Sequence, residues 1–316
     1  MKIYLFKRFF SLIPILFIVS TIVFLIIHLT PGDPASVMLG PEASTEQIER
    51  LKEELGLNVP LYQQYINWII AALQGDLGIS YFLKQPVMEA IFDHLGPTLT
   101  LAAIAQVICI LIAIPIGVIA AKHRGSVIDQ SFMGMSLLGI SIPSFLLGLF
   151  LMIIFAVKLQ WLPVAGYQSL DNGLWNYFKY LIMPAFALGA MQAALLARMT
   201  RSSMLDVLKK DFIKASRAKG SKEGQVLYKH ALRNALLPIL TVIGQSLGGL
   251  ITGAVVTETI FNIPGIGQLI INSVERRDLP IIQGTVLFAT VTFVFINFVV
   301  DLLYGFVDPR VRLEQK

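Results

Sequence analysis

The residues best suited to chemistry or partner binding lie in one basic segment, Arg198–Arg233, of an otherwise apolar chain. The segment holds ten lysines and arginines against three acidic residues, a local excess of seven positive charges. Within it, Asp211–Gly220 predicts a short helix, because Asp211 can cap its start and Gly220 can close its end. At 1.5 Å per residue this helix would be about 15 Å long.

Three kinds of side chain make up this short helix. Alanine and serine leave its flank almost bare, Phe212 and Ile213 can anchor it, and basic residues give it charge. Ser221 then predicts the start of a second helix that runs toward Pro238. The segment has the form of a mechanical connector between two membrane helices, or it is only a solvated basic loop that orients the chain. The candidate contact residues are Asp211, Phe212, Lys214, Ala215, Ser216, Arg217, Ala218, Lys219 and Gly220.

No residue constellation typical of an enzyme occurs in the sequence. The histidines at positions 28, 94, 123 and 230 are scattered, and none pairs with another at metal-ligand spacing. The sequence contains neither GxSxG nor HExxH, and it lacks the GxxxxGK[ST] phosphate-binding loop. We therefore predict a non-catalytic chain that holds no metal or cofactor, has no nucleic-acid partner and does not hydrolyse ATP by itself.

The composition is that of a membrane protein. Hydrophobic residues make up 55% of the 316 positions and charged residues 14%, and the mean hydropathy is +0.72. About 20 helical residues cross the roughly 30 Å of a bilayer core, and six stretches without a charged residue are long enough. We predict an all-α integral membrane protein with six transmembrane helices: 9–29, 98–121, 132–157, 180–197, 235–257 and 281–300.

Basic residues outside the spans predict the orientation. With six spans, the basic segment and the basic residues named at the end of this paragraph lie on one side, which places both termini and the basic segment in the cytoplasm. Besides the basic segment, the residues concerned are Lys2, Lys7, Arg8, Lys122, His123, Arg124, Arg310, Arg312 and Lys316.

Residues 30–97 then fall outside the cell as a small helical insertion between the first and second transmembrane helices. Ser44 and Gln47 fit a capping box, and the apolar residues at 48, 51 and 55 share a face of the helix that follows. Leu61–Leu73 predicts a second amphipathic helix, and Gly75–Ser80 predicts a turn. These helices either pack over the ends of the membrane helices or contact a partner protein.

The basic segment resembles the cytoplasmic EAA loop of binding-protein-dependent ATP-binding-cassette (ABC) importers, where a short coupling helix sits in a groove of the ATPase. The pattern E-A-A-x-x-x-G falls on residues 214–220, with Lys214 in place of the acid. The later proline of the pattern would fall at Arg233, whereas here it is Pro238. Both departures match the peptide-type branch, whose "ARAKG…HALRNALLP" is nearly reproduced at 216–220 and 230–238.

Further strings extend the resemblance over nearly the whole chain. They occur in the order of the B-type permease of dipeptide/oligopeptide (peptide/nickel) ABC importers, within the binding-protein-dependent transport system inner-membrane component family. This implies a type I ABC importer permease fold, with a transmembrane helix and extracytoplasmic segment at 1–97. It also implies a five-helix permease domain at 98–316 that carries the coupling loop at about 198–234. The strings are "YLFKRFFSLIPILFIVSTIVFLIIHLTPGDPA", "LGLNVPLYQQYINWI", "GDLGISYFLKQPV", "PTLTLA", "ETIFNIPGIGQL" and "RDLPIIQG".

The function implied by this resemblance is that of a permease subunit of an ATP-driven importer for di-/oligopeptides, in a bacterial or archaeal inner or plasma membrane. The implied partners are a homologous C-type permease, two cytoplasmic ATPases that use ATP and Mg²⁺, and an extracytoplasmic solute-binding protein. Nickel, often as a chelate, and glutathione are alternative cargoes, and "LQWLPVAGY" resembles the nickel branch. A stand-alone ion-coupled carrier or channel is the alternative from another class, although no acid or lysine lies mid-membrane.

Polar residues in the third and fifth spans are candidates for lining the pathway between the two permeases: Ser141, Ser144, Gln245, Ser246 and Thr252. Ordinary hydrogen bonds between helices, worth about 0.6 kcal/mol on average, are the alternative. Glu258, at the outer end of the fifth span, could gate the pathway or bind the amino terminus of a peptide, or it could pair with Arg276 or Arg277.

Overall fold

The computed structural model describes residues 2–29, 34–40, 43–54 and 56–307. Within these residues every regular element of secondary structure is a helix, apart from one isolated β-bridge between Ile79 and Pro86. The predicted all-α fold is thus confirmed. The α-helices are α1 (Lys2–Leu29), α2 (Pro34–Leu39), α3 (Thr45–Glu54), α4 (Leu61–Leu73), α5 (Val87–Lys122), α6 (Val127–Ser141), α7 (Ser144–Leu151), α8 (Leu174–Leu208), α9 (Asp211–Ala218), α10 (Arg233–Gly253), α11 (Val255–Phe261), α12 (Ile266–Glu275) and α13 (Leu279–Val307). The helix is of the π type at Met152–Lys158 and Gln225–Leu232, and a 3₁₀ turn covers Leu170–Asn172.

Three of these helices are long and apolar enough to cross a membrane: α5, α8 and residues 279–300 of α13. Two bent helix pairs bring the number to five in the described part of the chain, if each pair is one crossing. α1 contributes a shorter apolar stretch, Leu12–Leu25. The count of six spans stays a prediction.

The third predicted span is broken rather than continuous. α6 ends at Ser141, and the helix that starts at Ser144 leaves at 98° to it. Pro143 causes the break, because a proline disfavours helical geometry at the residue before it, and Ile142 is extended (ψ 119°). The fifth predicted span also bends, by 53° between α10 and α11.

The described chain forms two compact units. The first contains Pro97–Ile263 and the chain from Phe295 onward. In it, α5 and α8 approach closely at two glycines. A β-carbon on Gly117 would lie 2.5 Å from Cβ of Thr200, and one on Gly189 would lie 2.5 Å from the carbonyl oxygen of Ala105. Small residues let membrane helices approach in this way.

The second unit contains Lys2–Gly96 and Pro264–Val294. The predicted capping box is present: Ser44 N–H donates to Gln47 Oε1 at 2.9 Å, and Gln47 N–H donates to Ser44 Oγ at 3.3 Å. α4 has the predicted bounds and packs on α1, where Tyr65 OH lies 2.8 Å from Ser20 Oγ. The rings of Tyr65 and Phe24 meet edge to face at 5.3 Å.

Some predictions fall on residues that the structure leaves undescribed. Leu55, Arg310, Arg312 and Lys316 lie outside the described residues, and so does the side chain of Thr252.

Candidate functional site

The predicted short helix is present as α9, but its first turn differs from the prediction. Lys210 is the N-cap, with an extended backbone (φ −73°, ψ 149°), and no side chain caps the helix. Asp211 is therefore the first helical residue rather than the cap, and its Oδ1 accepts a hydrogen bond from Lys214 Nζ at 2.8 Å. An acid in this position still favours the helix, because the N-terminus carries partial positive charge.

The last residue of α9 is Ala218, and Gly220 closes the helix end as the sequence predicts. Gly220 has a φ of 82°, in the left-handed region that glycine adopts without steric cost. Its N–H donates to the Arg217 carbonyl at 2.9 Å, and the Ser221 N–H donates to the Ser216 carbonyl at 3.3 Å. These two bonds form a Schellman motif, which satisfies carbonyl groups at the helix end.

The inner face of α9 is fixed to the segment that follows it. Ile213 is fully buried in an apolar cluster with Val226 and Leu227 of the π-helix. Arg217 donates through Nη2 and Nε to the two carboxylate oxygens of Glu223, at 2.7 and 3.2 Å. The Arg217 guanidinium lowers the pKa of Glu223 through this hydrogen-bonded pair. An apolar anchor and a two-point ion pair thus hold α9 in one orientation.

The second helix begins differently from the prediction. Ser221 does not cap it, because Ser221 Oγ is engaged with Ser216 Oγ at 3.1 Å, and the carbonyl of Lys222 accepts the first helical hydrogen bonds. The helix runs through the π-helical Gln225–Leu232 into α10 and continues past Pro238. π-helical turns are rare and are frequent at functional sites.

The outer face of α9 is left uncovered by the rest of the described chain. Phe212, Ala215 and Ala218 follow at three-residue spacing and are all exposed, and the Phe212 side chain is 43% exposed. Lys214 and Lys219 beside them are exposed as well. The two predicted anchors therefore differ in their surroundings: Ile213 is buried in its own chain, whereas Phe212 is exposed. A partner groove can contact this ring and the nearly bare backbone next to it.

Sequence reasoning missed an ion pair near the C-terminal end of α8. Arg201 Nε and Nη2 donate to Asp129 Oδ1 and Oδ2 at 2.6 and 2.7 Å, and the Gly125 N–H donates to Oδ2 at 2.9 Å. Asp129 is buried and Arg201 is 26% exposed. Such a two-point ion pair fixes orientation as well as distance, so it joins the first turn of α6, and through Gly125 the loop before it, to α8. In the sequence, Asp129 is a lone acidic residue close to the basic residues that flank the predicted spans, and this position was the signal for an ion pair.

Two of the predicted pathway residues line a common groove. Gln245 and Ser246 of α10 face α8 across a cavity of about 540 Å³. The α8 wall contributes three polar residues, Gln192, Arg198 and Ser202. Ser246 Oγ also lies 2.9 Å from Gln106 Oε1 of α5, in a buried hydrogen bond. Ser246 therefore makes the hydrogen bond between helices that was the alternative to a pathway role. It also lines the groove.

The other predicted pathway residues lie elsewhere. Ser141 and Ser144 flank the break between α6 and α7, and Ser141 Oγ donates to the Leu137 carbonyl at 2.9 Å. Glu258 is completely buried and accepts a hydrogen bond from Thr98 Oγ1 at 2.7 Å. Its carboxylate therefore does not face an open mouth in this chain.

A second cluster missed from the sequence joins two loops of the second unit. Asp278 accepts hydrogen bonds from Ser80 Oγ and from the N–H groups of Tyr81 (3.2 Å) and Phe82 (3.1 Å). Burial, and secondarily the Asp278 carboxylate, raise the pKa of Tyr81 to about 12. The Arg276 guanidinium lies 3.7 Å from the centre of the Phe82 ring, a cation–π contact. Two of the strings that carry the family resemblance thus meet in space.

None of these arrangements has the geometry of a reacting centre. Within the described ranges, no three His, Cys, Asp or Glu side chains come together where they could hold a metal ion. What the described chain offers is an uncovered short helix, a polar groove between two long helices, and ion pairs that fix loops.

The described part of the chain combines long apolar helices, as membrane proteins do, with a short helix whose outer face is uncovered. The sequence matches the family model "Binding-protein-dependent transport system inner membrane component" over residues 113–313. The model of the N-terminal part of such components matches residues 1–102. The chain belongs to this family, and it is an ABC importer permease of the inner membrane.

Full-length relatives and solved structures agree with this assignment. The chain is 40% identical over 312 residues to "Probable peptide ABC transporter permease protein y4tP" of Sinorhizobium fredii. The aligned region covers 99% of this chain and 100% of the relative. It is 43% identical over 309 residues to "Glutathione transport system permease protein GsiC" of Escherichia coli K12, covering 98% of each. An inward-facing structure of the MetNI methionine ABC transporter matches with a TM-score of 0.58 at 21% identity. The match covers 70% of this chain and 97% of that one. The type I importer permease fold is thus confirmed.

Proposed function

We propose that this chain is the permease subunit of an ATP-driven importer of di-/oligopeptides, and that α9 is its docking helix for the ATPase. The observation that carries the docking role is the two-sided construction of α9. Ile213 and the Arg217–Glu223 pair fix the inner face, while Phe212 and Ala215 are exposed on the outer face. Because these contacts fix α9 to the segment of its own chain that follows it, a movement imposed on the docked outer face passes into that segment.

The peptide cargo is supported by the relative named as a peptide permease, which aligns along its whole length. Glutathione is the second candidate, because the relatives named GsiC align over 98% of the chain at 43% identity. Glutathione is itself a small peptide-like solute with carboxylates, so the two candidates share their chemistry. Nickel, alone or as a chelate, is the third cargo to be tested. On this proposal the chain acts with a second permease, two ATPases and a solute-binding protein, and both its termini face the cytoplasm.

Substitution at Ala215 tests the docking role. The complete transporter is reconstituted in liposomes with ATP inside, and uptake of a labelled dipeptide is measured with wild type, Ala215→Trp and Ala215→Ser. Because position 215 is exposed, tryptophan leaves the fold intact but keeps a partner from approaching the backbone. We expect Ala215→Trp to abolish uptake and co-purification with the ATPase, and Ala215→Ser to keep both.

Gly220 provides a second test through the backbone. A β-carbon at this position would meet no neighbouring heavy atom within 4 Å, so within this chain the first effect of a substitution is strain at φ 82°. We expect Gly220→Trp to be inserted into the membrane but to lose transport, and Gly220→Asn to keep most of it, since asparagine tolerates this conformation. Full uptake by both Ala215→Trp and Gly220→Trp would refute the docking role.

Uptake assays with competing solutes test the cargo independently. Unlabelled dipeptide, glutathione and a nickel salt are each added in excess during uptake of the labelled dipeptide. We expect dipeptides to compete best. Competition by glutathione alone, together with transport of labelled glutathione, would assign the second cargo instead.

A further inference from the structure

The groove between α8 and α10 has a composition that points to a ligand. On α8, Gln192, Leu195, Arg198 and Ser202 recur every three or four residues, and on α10 Gln245 and Ser246 line the opposite wall. Its volume of about 540 Å³ lies within the range of roughly 300–1,000 Å³ that is usual for small-molecule sites. The side chains of Gln192, Arg198, Ser202 and Gln245 all carry hydrogen-bond donors.

Among the described residues that line this groove, Arg198 is the one with a charged side chain. In the described part of the chain, no acidic side chain forms an ion pair with it. Arg201, one turn further along α8, is held instead in the fork with Asp129. The two neighbouring arginines therefore differ in what their N–H donors do. Those of Arg201 bind Asp129, whereas those of Arg198 are available to a ligand in the groove.

The chemistry of the guanidinium group selects the ligand. It presents N–H donors in a planar fork that matches the two oxygens of a carboxylate, and such charge-assisted pairs are the strong ones. The amides of Gln192 and Gln245 and the hydroxyl of Ser202 can complete the coordination of a carboxylate or bind a neighbouring peptide group. None of the described residues that line the groove is acidic, so these residues offer no charge complement to an ammonium group.

We propose that this groove is a binding site for the free carboxylate of the transported solute, with Arg198 as its charged contact. This rests on the proposed function, because it assumes a small peptide-like cargo. A dipeptide, a longer peptide and glutathione all carry a free carboxylate, and the groove recognises that shared group. The amino terminus of a peptide is left to be recognised elsewhere.

The test compares a dipeptide that has a free carboxylate with the same dipeptide capped as a C-terminal amide. Equilibrium binding of each labelled compound is measured on the detergent-solubilised transporter without its solute-binding protein, so the selectivity of that protein does not enter. Uptake into liposomes is measured in parallel with the complete system. The variants are Arg198→Gln and Arg198→Lys, with Lys122→Gln as the matched loss of a positive charge outside the groove.

We expect Arg198→Gln to weaken binding of the free dipeptide by about tenfold or more, the effect of losing a charge-assisted contact. Binding of the amide should change less than about twofold. Arg198→Lys should be intermediate, since lysine keeps the charge but loses the fork geometry. Lys122→Gln should behave as wild type with both compounds.

Equal loss of binding for both dipeptides in Arg198→Gln would overturn the assignment, and so would an equal effect of Lys122→Gln. Co-purification of the ATPase with Arg198→Gln is measured as well. If this variant no longer co-purifies with the ATPase and binds both dipeptides equally weakly, the role of Arg198 is structural. If the wild type binds glutathione but not dipeptides, and Arg198→Gln abolishes that binding, the carboxylate site stands while the dipeptide cargo fails.

Discussion

The two-point ion pair between Asp129 and Arg201 gives a quantitative prediction about how the start of α6 is attached to α8. Asp129→Asn removes the charge but keeps the shape and one oxygen that can accept the hydrogen bond from the Gly125 N–H. The guanidinium of Arg201 is then left without its counter-charge. Arg201→Gln creates the opposite defect, a buried carboxylate without a cation.

The magnitude follows from the burial of the two partners. Breaking a buried ion pair costs about 3–5 kcal/mol, whereas exposed pairs contribute about 0.2–1 kcal/mol. The Asp129 side chain is 4% exposed and that of Arg201 26%, so the pair belongs near the lower end of the buried class. We expect each single substitution to lower the free energy of unfolding by about 3 kcal/mol.

The double variant Asp129→Asn/Arg201→Gln separates the pair from its surroundings. Because neither charge remains, we expect it to cost about as much as one single variant, which gives a coupling energy of about 3 kcal/mol. The assay is equilibrium unfolding in detergent micelles, followed by tryptophan fluorescence. The exposed pair of Glu46 and Arg50 is the control, and Glu46→Gln should cost less than about 0.5 kcal/mol.

Additive effects of the two single variants, within about 0.5 kcal/mol, would refute this reasoning. The two residues would then contribute through separate neighbours rather than through the fork. A cost below about 1 kcal/mol for either single variant would show that water replaces the lost partner, as it does at exposed pairs.

Two further predictions concern helix packing and the titration of a buried tyrosine. Gly117→Ala should lower the melting temperature sharply, because its β-carbon would lie 2.5 Å from Cβ of Thr200. Gly134→Ala, with open space around it, should be neutral or slightly stabilising. Tyr81 should stay protonated to about pH 12 in ultraviolet absorbance titrations, since burial and the Asp278 carboxylate raise its pKa. The stability that the neutral phenol contributes is then complete below about pH 10 and is lost as the pH rises toward 12. Asp278→Asn should lower this pKa, and an unchanged titration would contradict the assigned charge effect.

Local sequence signals predicted the elements whose causes are local. The capping box at Ser44 and Gln47 closed as expected, because its two hydrogen bonds join residues three apart. Gly220 ended α9 because a left-handed residue is needed at that point. The apolar runs predicted helices because a span buried in lipid must satisfy its own backbone hydrogen bonds.

The same signals were ambiguous where the outcome depends on neighbouring helices. Pro14, Pro115, Pro143, Pro184 and Pro238 all lie within predicted spans, yet only at Pro143 does the helix stop and turn through 98°. A proline removes one hydrogen bond in each case, and the packing around it decides whether the helix continues. Sequence alone gives no means of ranking the five.

The sequence by itself determined that the chain is an all-helical membrane protein, that a short basic helix ends at Gly220, and to which family the chain belongs. Tertiary structure decided which side chains act together. It turned Ile213 inward and Phe212 outward, bound Arg201 to an acid 72 positions away and left Arg198 in a groove. The physical reason is that caps and apolar runs depend on neighbours along the chain, whereas pairing of charges depends on which helices pack together.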